Sequence, residues 1–463
     1  MSDTEIQKSD LPGRIKTEVK TTLKLGYPLV AANLLQMSMA FVDTVMAGNL
    51  STNDLAAVAI GSSILTPVMM GGIGILMAVT PIVAQHYGAG DLHKIGKSVR
   101  QSIWLAVLMA IPTMLVLRNA DPVLNLLNLE PEVVTLAGGY LKAASWGIPA
   151  FFCFIALKHF NEAVSVTRPV MFITVGGLFF NIAGNYTFMF GKLGFPAMGA
   201  IGTGWATALV MWVMFTGMFL YTRYRKDYAQ FGIFDDLRLP DPEYMKEQLR
   251  LGVPIGVTIT MEVSMFAVVS LLIGYIGTTE VAAHQIALNI ASITFMAAFG
   301  IASAVTIRVG QNLGRKSLEA ARFSGYTGIG ICVFLMCCTA TIFFIFPEFL
   351  VSIYTDDAEI VPLAVTLLFF AAVFQISDGL QVSGASALRG LKDTTVPMVV
   401  NLVSYWIIGL SCGAYFGFYL DYGPQGLWAG LILGLTTAAI LHNLRFYYLT
   451  RYKTREELLA KKS

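Results

Sequence analysis

Charge is scarce in this sequence. Asp, Glu, Lys and Arg make up 13% of its 463 residues, where a soluble domain carries about a quarter. The net charge is only +2, so bulk charge gives no argument for a nucleic-acid partner. Cysteine is scarce too. Cys153, Cys332, Cys337, Cys338 and Cys412 all fall in apolar runs. None has metal-ligand spacing and two are adjacent, which excludes a disulfide framework and a zinc site. They read as small buried hydrophobes. Catalytic motifs are lacking: there is no H-E-x-x-H and no G-x-S-x-G. The stretch GQNLGRKS (310–317) has three residues between its glycines rather than four, and Arg before its Lys. It follows an apolar run rather than a strand, so it is no phosphate loop. No polar segment is long enough to form a catalytic domain. The chain reads as no enzyme, with no cofactor. Its start, MSDTEIQKSDLPGRIKTEVK, lacks a short apolar stretch ahead of a small-residue cleavage site, so no signal peptide is expected.

What is present is hydrophobic: 56% of the residues, gathered in long runs. A membrane-spanning helix needs about 20 mostly apolar residues. Twelve stretches qualify, near 23–47, 56–80, 101–118, 138–158, 169–190, 199–222, 249–277, 281–306, 323–346, 361–388, 396–419 and 425–448. With the N-terminus placed in the cytoplasm, all but Arg118, Lys142 and Lys192 of the 31 Lys and Arg residues fall on the cytoplasmic side. Arg14, Lys16, Lys20 and Lys24 open the chain; Arg238 sits in the central segment; Arg455, Lys461 and Lys462 close it. Outer loops are acidic, as at Asp356, Asp357 and Glu359. This segregation follows the positive-inside rule, and an odd number of spans would scramble it. The expected fold is an all-α integral membrane protein of twelve spans with both termini cytoplasmic.

The chain also repeats. At a fixed shift of 226, GYPLVAANLLQMSM (26–39) lies over GVPIGVTITMEVSM (252–265), and DLAAVAIGSSI (54–64) over EVAAHQIALNI (280–290). Thr80, Gln85 and Gly88 lie over Thr306, Gln311 and Gly314. Six spans per half is an even number, so both halves enter the membrane alike. They are expected as two pseudo-twofold-related lobes around a central cavity, as in parallel-repeat transporters. The expected organisation is a cytoplasmic segment 1–22, an N-lobe 23–222, a cytoplasmic linker 223–248, a C-lobe 249–448 and a cytoplasmic tail 449–463.

Into this apolar frame the sequence places Asp43 (span 1), Glu262 (span 7) and Asp378 (span 10). A charge at bilayer centre costs about 2.5–3.5 kcal/mol even on the lenient insertion scale. Glu262 and Asp378 both fall near mid-depth of the second half, and a shared site there binds Na+ through hard oxygens or takes up a proton. Glu162 and Asp393 sit at cytoplasmic span ends beside Arg168 and Lys392, and read as solvated charge. Glu262 aligns with Gln36 and Asp43 with Val269, so the halves carry different polar sets. Asn33, Gln36, Asn181, Asn185 and Asn289 either line a cavity or hydrogen-bond between helices. His284 reads as a satisfied interhelical histidine. The 21 Met, 30 Phe, 18 Tyr and 6 Trp residues suit packing, and a pocket for apolar cations.

Several stretches taken together resemble the multidrug and toxic compound extrusion (MATE) transporters, in their NorM-like bacterial branch. They are FVDTVMAG (41–48), LAAVAIGSSI (55–64), GVPIGVTITMEVSMF (252–266), EVAAHQIALNI (280–290), GQNLG (310–314) and DGLQVSGASALRGLKDT (378–394). The resemblance runs from about residue 20 to 450. It implies two six-helix lobes forming a V around a cavity. It implies efflux of cationic, often aromatic drugs and dyes across a bacterial inner membrane in exchange for Na+ or H+. It assigns the cation site, with Na+ as the metal, to Glu262 and Asp378, and a role in binding or coupling to Asp43. One branch of the family has an acid in span 5 near Asn185; Asn here favours the NorM-like arrangement. The expected partners are the cationic compound, a monovalent cation and membrane lipid, with the protein acting as a monomer. The rival reading is a flippase for a lipid-linked precursor. That needs a strongly cationic cavity, and the spans are expected to hold acids and no buried Lys or Arg.

Overall fold

The computed structural model describes residues 11–126, 130–235, 239–454 and 457. Arg238, Arg455, Lys461 and Lys462 lie outside these described residues. In oil a backbone must satisfy its own N–H and C=O groups, and a helix does so within one segment. The long apolar runs accordingly fold as helices, and no strand occurs among the described residues. Among the described residues, eleven helices are long and apolar enough to cross a membrane: Leu11–Gly48, Thr52–Ala89, Leu92–Leu126, Arg168–Met189, Ala200–Tyr224, Pro242–Ile276, Thr278–Gly314, Leu318–Ile345, Ile360–Gly390, Thr395–Tyr419 and Gly423–Tyr452. The bent pair Pro131–Ser145 and Ile148–Ala163, meeting at 50°, supplies the twelfth. In chain order, with the bent pair as span 4, these are spans 1 to 12. The bend falls at Trp146–Gly147, and Pro149 follows in the first helical turn, where its missing N–H costs nothing. Spans 5 and 11 end in π-helical turns, Asn185–Met189 and Tyr415–Tyr419.

The chain packs as two units. One comprises residues 31–259; the other joins the described residues up to Val30 to 260–463. The first is cored by Tyr140, Phe152, Phe154 and Phe160 with aliphatic side chains of spans 2 to 6. The second is cored by Tyr405, Trp428, Leu367 and Leu431 with their neighbours from spans 7 to 12.

Helix contacts reproduce the sequence repeat. Within the first unit, span 7 meets span 2 so closely that a Cβ on Gly74 would fall 2.5 Å from Gly256 Cα, and one on Gly252 would collide with the Ile75 carbonyl. Within the second, span 1 meets span 8: a Cβ on Gly300 would fall 2.6 Å from Val30 N, and one on Gly26 would fall 2.6 Å from Ile301 Cδ1. Adding 226 to Gly26, Val30, Gly74 and Ile75 gives Gly252, Gly256, Gly300 and Ile301. One pair of contacts is thus made twice. Small residues let helix backbones approach where lipid supplies no hydrophobic drive between helices.

Gly74→Val and Gly300→Val are each expected to cost about 1–3 kcal/mol through overpacking, read as a lower unfolding midpoint of the purified protein. Gly176→Val, where an added carbon meets nothing within 4 Å, should leave the midpoint nearly unchanged. An equal drop in all three variants would count against the two glycine seams.

Candidate cation and substrate sites

Glu262 and Asp378 both belong to the second unit. Glu262 is half-buried on span 7, and Asp378 on span 10 is 4% exposed. The two carboxylates lie close enough for their charges to interact. Arg389, in the last turn of span 10, also acts electrostatically on Glu262. Tyr405 of span 11 lies within electrostatic range of both acids. Its ring is fully buried, and its Oη has no hydrogen-bond partner among the described residues. One turn before Asp378, Gln375 accepts a hydrogen bond from Thr339 Oγ1 at 2.8 Å, and its Nε2 is left unpartnered. Asn401, four residues before Tyr405, is fully buried with neither amide atom partnered. Unsatisfied buried polar atoms are uncommon and call for water, an ion or a ligand.

The balance of charge follows from these neighbours. Two ionised carboxylates against one guanidinium leave a single negative charge in excess. Carboxylate, phenol and amide oxygens form a hard donor set, which suits Na+ rather than a thiophilic metal. Among the described residues, no group of three His, Cys, Asp or Glu side chains stands close enough to hold a metal ion.

Asp43 belongs to the first unit. Its Oδ1 accepts hydrogen bonds from Asn181 Nδ2 at 2.9 Å and Asn185 Nδ2 at 2.6 Å. The two asparagines stand one turn apart on span 5, so their amides converge on one acceptor. Asn185 opens the π-helical turn, a distortion frequent at functional sites. Both asparagine Oδ1 atoms are buried and unpartnered. Tyr140 lies within electrostatic range of Asp43, and its hydroxyl is 3.3 Å from Ser62 Oγ. Asn33 is buried on span 1, and Gln36, one turn later, has an unpartnered buried Nε2. Asn289 joins neither group: it is exposed, and its Oδ1 accepts from the Tyr354 hydroxyl at 2.9 Å. His284 is fully buried; its Nδ1 accepts from Trp428 Nε1 at 3.2 Å, so its Nε2 donates to Ser270 Oγ at 2.9 Å.

Two expectations from sequence are corrected. Glu162 is not solvated: it is 3% exposed, 3.1 Å from His159 Nδ1 and 3.8 Å from Lys158 Nζ. Helical spacing puts both bases one turn before it, so the charge is matched inside its own helix. Beside it, Asn161 donates to Thr222 Oγ1 at 3.2 Å and accepts from the Tyr228 hydroxyl at 2.7 Å. Burial pushes the Tyr228 phenol up, so it remains a donor. Asp393 is likewise held, at 2.9 Å from Arg445 Nε. The second correction concerns basic residues. Lys158 is 9% exposed and Arg389 half-buried, so the spans do hold buried cations, each beside an acid. Arg389, Tyr405 and Tyr140 are the site residues that sequence reasoning missed. The run of polar residues KHFNE closing span 4 (158–162) is the signal that marked the Glu162 cluster.

The family model MatE matches residues 28–187 and again residues 254–414, so the two matches begin 226 residues apart. Multidrug resistance protein NorM of Aliivibrio fischeri is 41% identical over 450 residues, 96% of this chain and 98% of that protein. Multidrug resistance protein MdtK of Photorhabdus laumondii is 41% identical over 432 residues, 92% of this chain and 94% of that one. Among solved structures, the eukaryotic MATE transporter AtDTX14 has a TM-score of 0.88 at 21% identity, covering 97% of this chain and all of that one. An outward-facing multidrug resistance MATE family transporter of the MOP superfamily has a TM-score of 0.86 at 20% identity, covering 94% of this chain and 96% of that one. These structures share the fold.

The Asp43 contacts predict a measurable interaction energy. Hydrogen bonds to a charged group are worth about 1.5–3 kcal/mol. Asn185→Ala should therefore destabilise the wild-type protein by roughly that much more than it destabilises Asp43→Ala. Equal costs in both backgrounds, measured by unfolding, would mean the amides do not hold the carboxylate.

Proposed function

The chain belongs to the multidrug and toxic compound extrusion family of multi-pass membrane transporters, which are not enzymes, and on that footing we propose that it is a secondary active antiporter of a bacterial inner membrane. It exports cationic, often aromatic compounds in exchange for Na+ or H+ by alternating access. It works as a monomer with both termini cytoplasmic. The relatives at 41% identity are named multidrug resistance proteins, which supports the substrate class.

The observation that carries the coupling is the excess acid of the second unit. Glu262 and Asp378 share an interior with Arg389 and Tyr405. The entering cation binds there and relieves the repulsion between the two carboxylates. An ion shifts a conformational equilibrium only by its difference in affinity for the two states. Charge matching of this kind supplies such a difference. In the first unit, Asp43, oriented by Asn181 and Asn185, meets the positive charge of the exported compound, and aromatic faces take its apolar body. Cation entry weakens compound binding, and compound binding weakens cation entry by the same factor. Stoichiometry sets the energy supply. One monovalent ion exchanged for one monovalent compound moves no net charge. A second ion adds about 2.3 kcal/mol per 100 mV of membrane potential.

The flippase reading requires cations free to meet an anionic headgroup. Arg389 and Lys158 stand beside Glu262 and Glu162, which leaves the antiport reading favoured.

The test is efflux of a fluorescent cationic dye from proteoliposomes under imposed Na+ or H+ gradients, applied separately. One gradient should drive export in the wild type. Glu262→Gln and Asp378→Asn should each abolish that drive while the folded protein still binds dye. Normal coupling in both variants would leave the two acids structural and move the search to Asp43.

A further inference from the structure

Span 1 is far longer than its apolar stretch. Its helix starts at Leu11 and runs for 38 residues, about 57 Å at 1.5 Å per residue. A bilayer's hydrocarbon core is about 30 Å thick. The first turns of the helix therefore stand beyond that core, at headgroup level. They are fixed there on one side. Glu18, 8% exposed, accepts from Arg308 Nε at 2.8 Å and from Arg308 Nη2 at 2.6 Å. Leu25 and Leu29 pack with Ala304 and Ile307 of span 8.

An adjoining strip of the same helix is open. Leu11, Ile15, Leu23 and Tyr27 are all exposed. With Tyr326 and Phe334 of span 9 they wall a groove of about 1230 Å³ lying wholly within the second unit. That exceeds the roughly 300–1,000 Å³ of a drug-sized pocket. The interior of the groove is apolar, and its rim carries two bases, Arg14 and Arg322, and one acid, Glu319. Arg14 lies 5.0 Å over the Phe323 ring and 3.4 Å from Glu319. Arg322 lines the same rim and makes no ion pair among the described residues. Lys16, Lys20 and Lys24 are exposed at four-residue intervals, one position on from Ile15, Val19 and Leu23. They form a basic stripe on the neighbouring face of the helix and do not line the groove.

We propose that this groove between spans 1 and 9 binds one anionic phospholipid from the leaflet beside the basic segments. Its acyl chains lie along the apolar wall of Tyr27, Tyr326 and Phe334, and its phosphate is taken by Arg322 with Arg14. Basic pockets between membrane helices recognise anionic headgroups in this way. Charge selects the occupant: Glu319 offsets Arg14, the charge of Arg322 is left unmatched, and that net positive rim favours an anionic headgroup over a cationic amphiphile. The transported compound therefore does not belong here.

The test uses the full-length protein in micelles with equimolar phosphatidylglycerol and phosphatidylethanolamine, with retained lipid counted by native mass spectrometry. The wild type should keep one phosphatidylglycerol. Arg14→Gln with Arg322→Gln should reduce its preference over phosphatidylethanolamine by about thirtyfold, at about fivefold per lost charge. Gly330 lines the groove, and an added Cβ there meets nothing within 4 Å. Gly330→Trp should therefore fill the groove and displace the lipid while the unfolding midpoint holds. An unchanged preference in the arginine double variant, or undiminished retention in Gly330→Trp, overturns the proposal and leaves lipid that merely surrounds the protein.

Discussion

Oil cannot hydrogen-bond, and the structure depends on that constraint throughout. Every backbone amide in a span must find its partner within reach, so the described residues fold into helices and no strands. The same rule reaches the side chains. Asp43 takes two asparagine amides. Glu162 takes a lysine and a histidine from its own helix. His284 is satisfied at both ring nitrogens. Other buried atoms are left unmatched in both units: beside Asp43, the Oδ1 atoms of Asn181 and Asn185 have no partner among the described residues. Tyr405 Oη, Gln375 Nε2 and both amide atoms of Asn401 are buried and lack partners among the described residues. Such atoms cost free energy until something arrives to meet them.

The two halves share a backbone plan and differ in polar content. The seams at Gly74–Gly256 and Gly300–Val30 are one contact made twice. Yet the carboxylate of Glu262 stands where the first half has an amide, Gln36, and Val269 stands where the first half has Asp43. Conserving the seams keeps both bundles close-packed. Varying the polar residues gives each bundle its own set of buried acids and amides.

Much of this was legible in the sequence, for reasons that differ by residue. Twelve spans and their repeat could be read because hydrophobic runs and basic flanks are long, redundant signals. Asp43, Glu262 and Asp378 could be read because a charge inside an apolar run is too costly to be accidental. Their partners could not. Arg389 lies near a span end, where a basic residue is ordinarily solvated, and only the tertiary packing turns it toward Glu262. Tyr405 is one of 18 tyrosines, and nothing in its neighbours marks it out. The burial of Glu162 was not legible because its matching charges, Lys158 and His159, come from the preceding turn of a helix end that reads as solvated. The extension of span 1 to Leu11 was missed because the polar start of the chain hides a helix whose apolar stripe is narrow.

The doubled seam also bears on ancestry. Span 1 of the first half packs on span 8 of the second, and span 7 of the second packs on span 2 of the first. Written in the coordinates of one repeat, both are the contact of residue 26 with residue 75. A contact in which i of one copy meets j of the other, and j meets i, is isologous, the signature of a twofold dimer. A six-span ancestor with these residues would have been completed only by a second copy of itself, each lending the start of its first helix to the other. Gene fusion then freed the two copies to diverge, which an obligate homodimer cannot do.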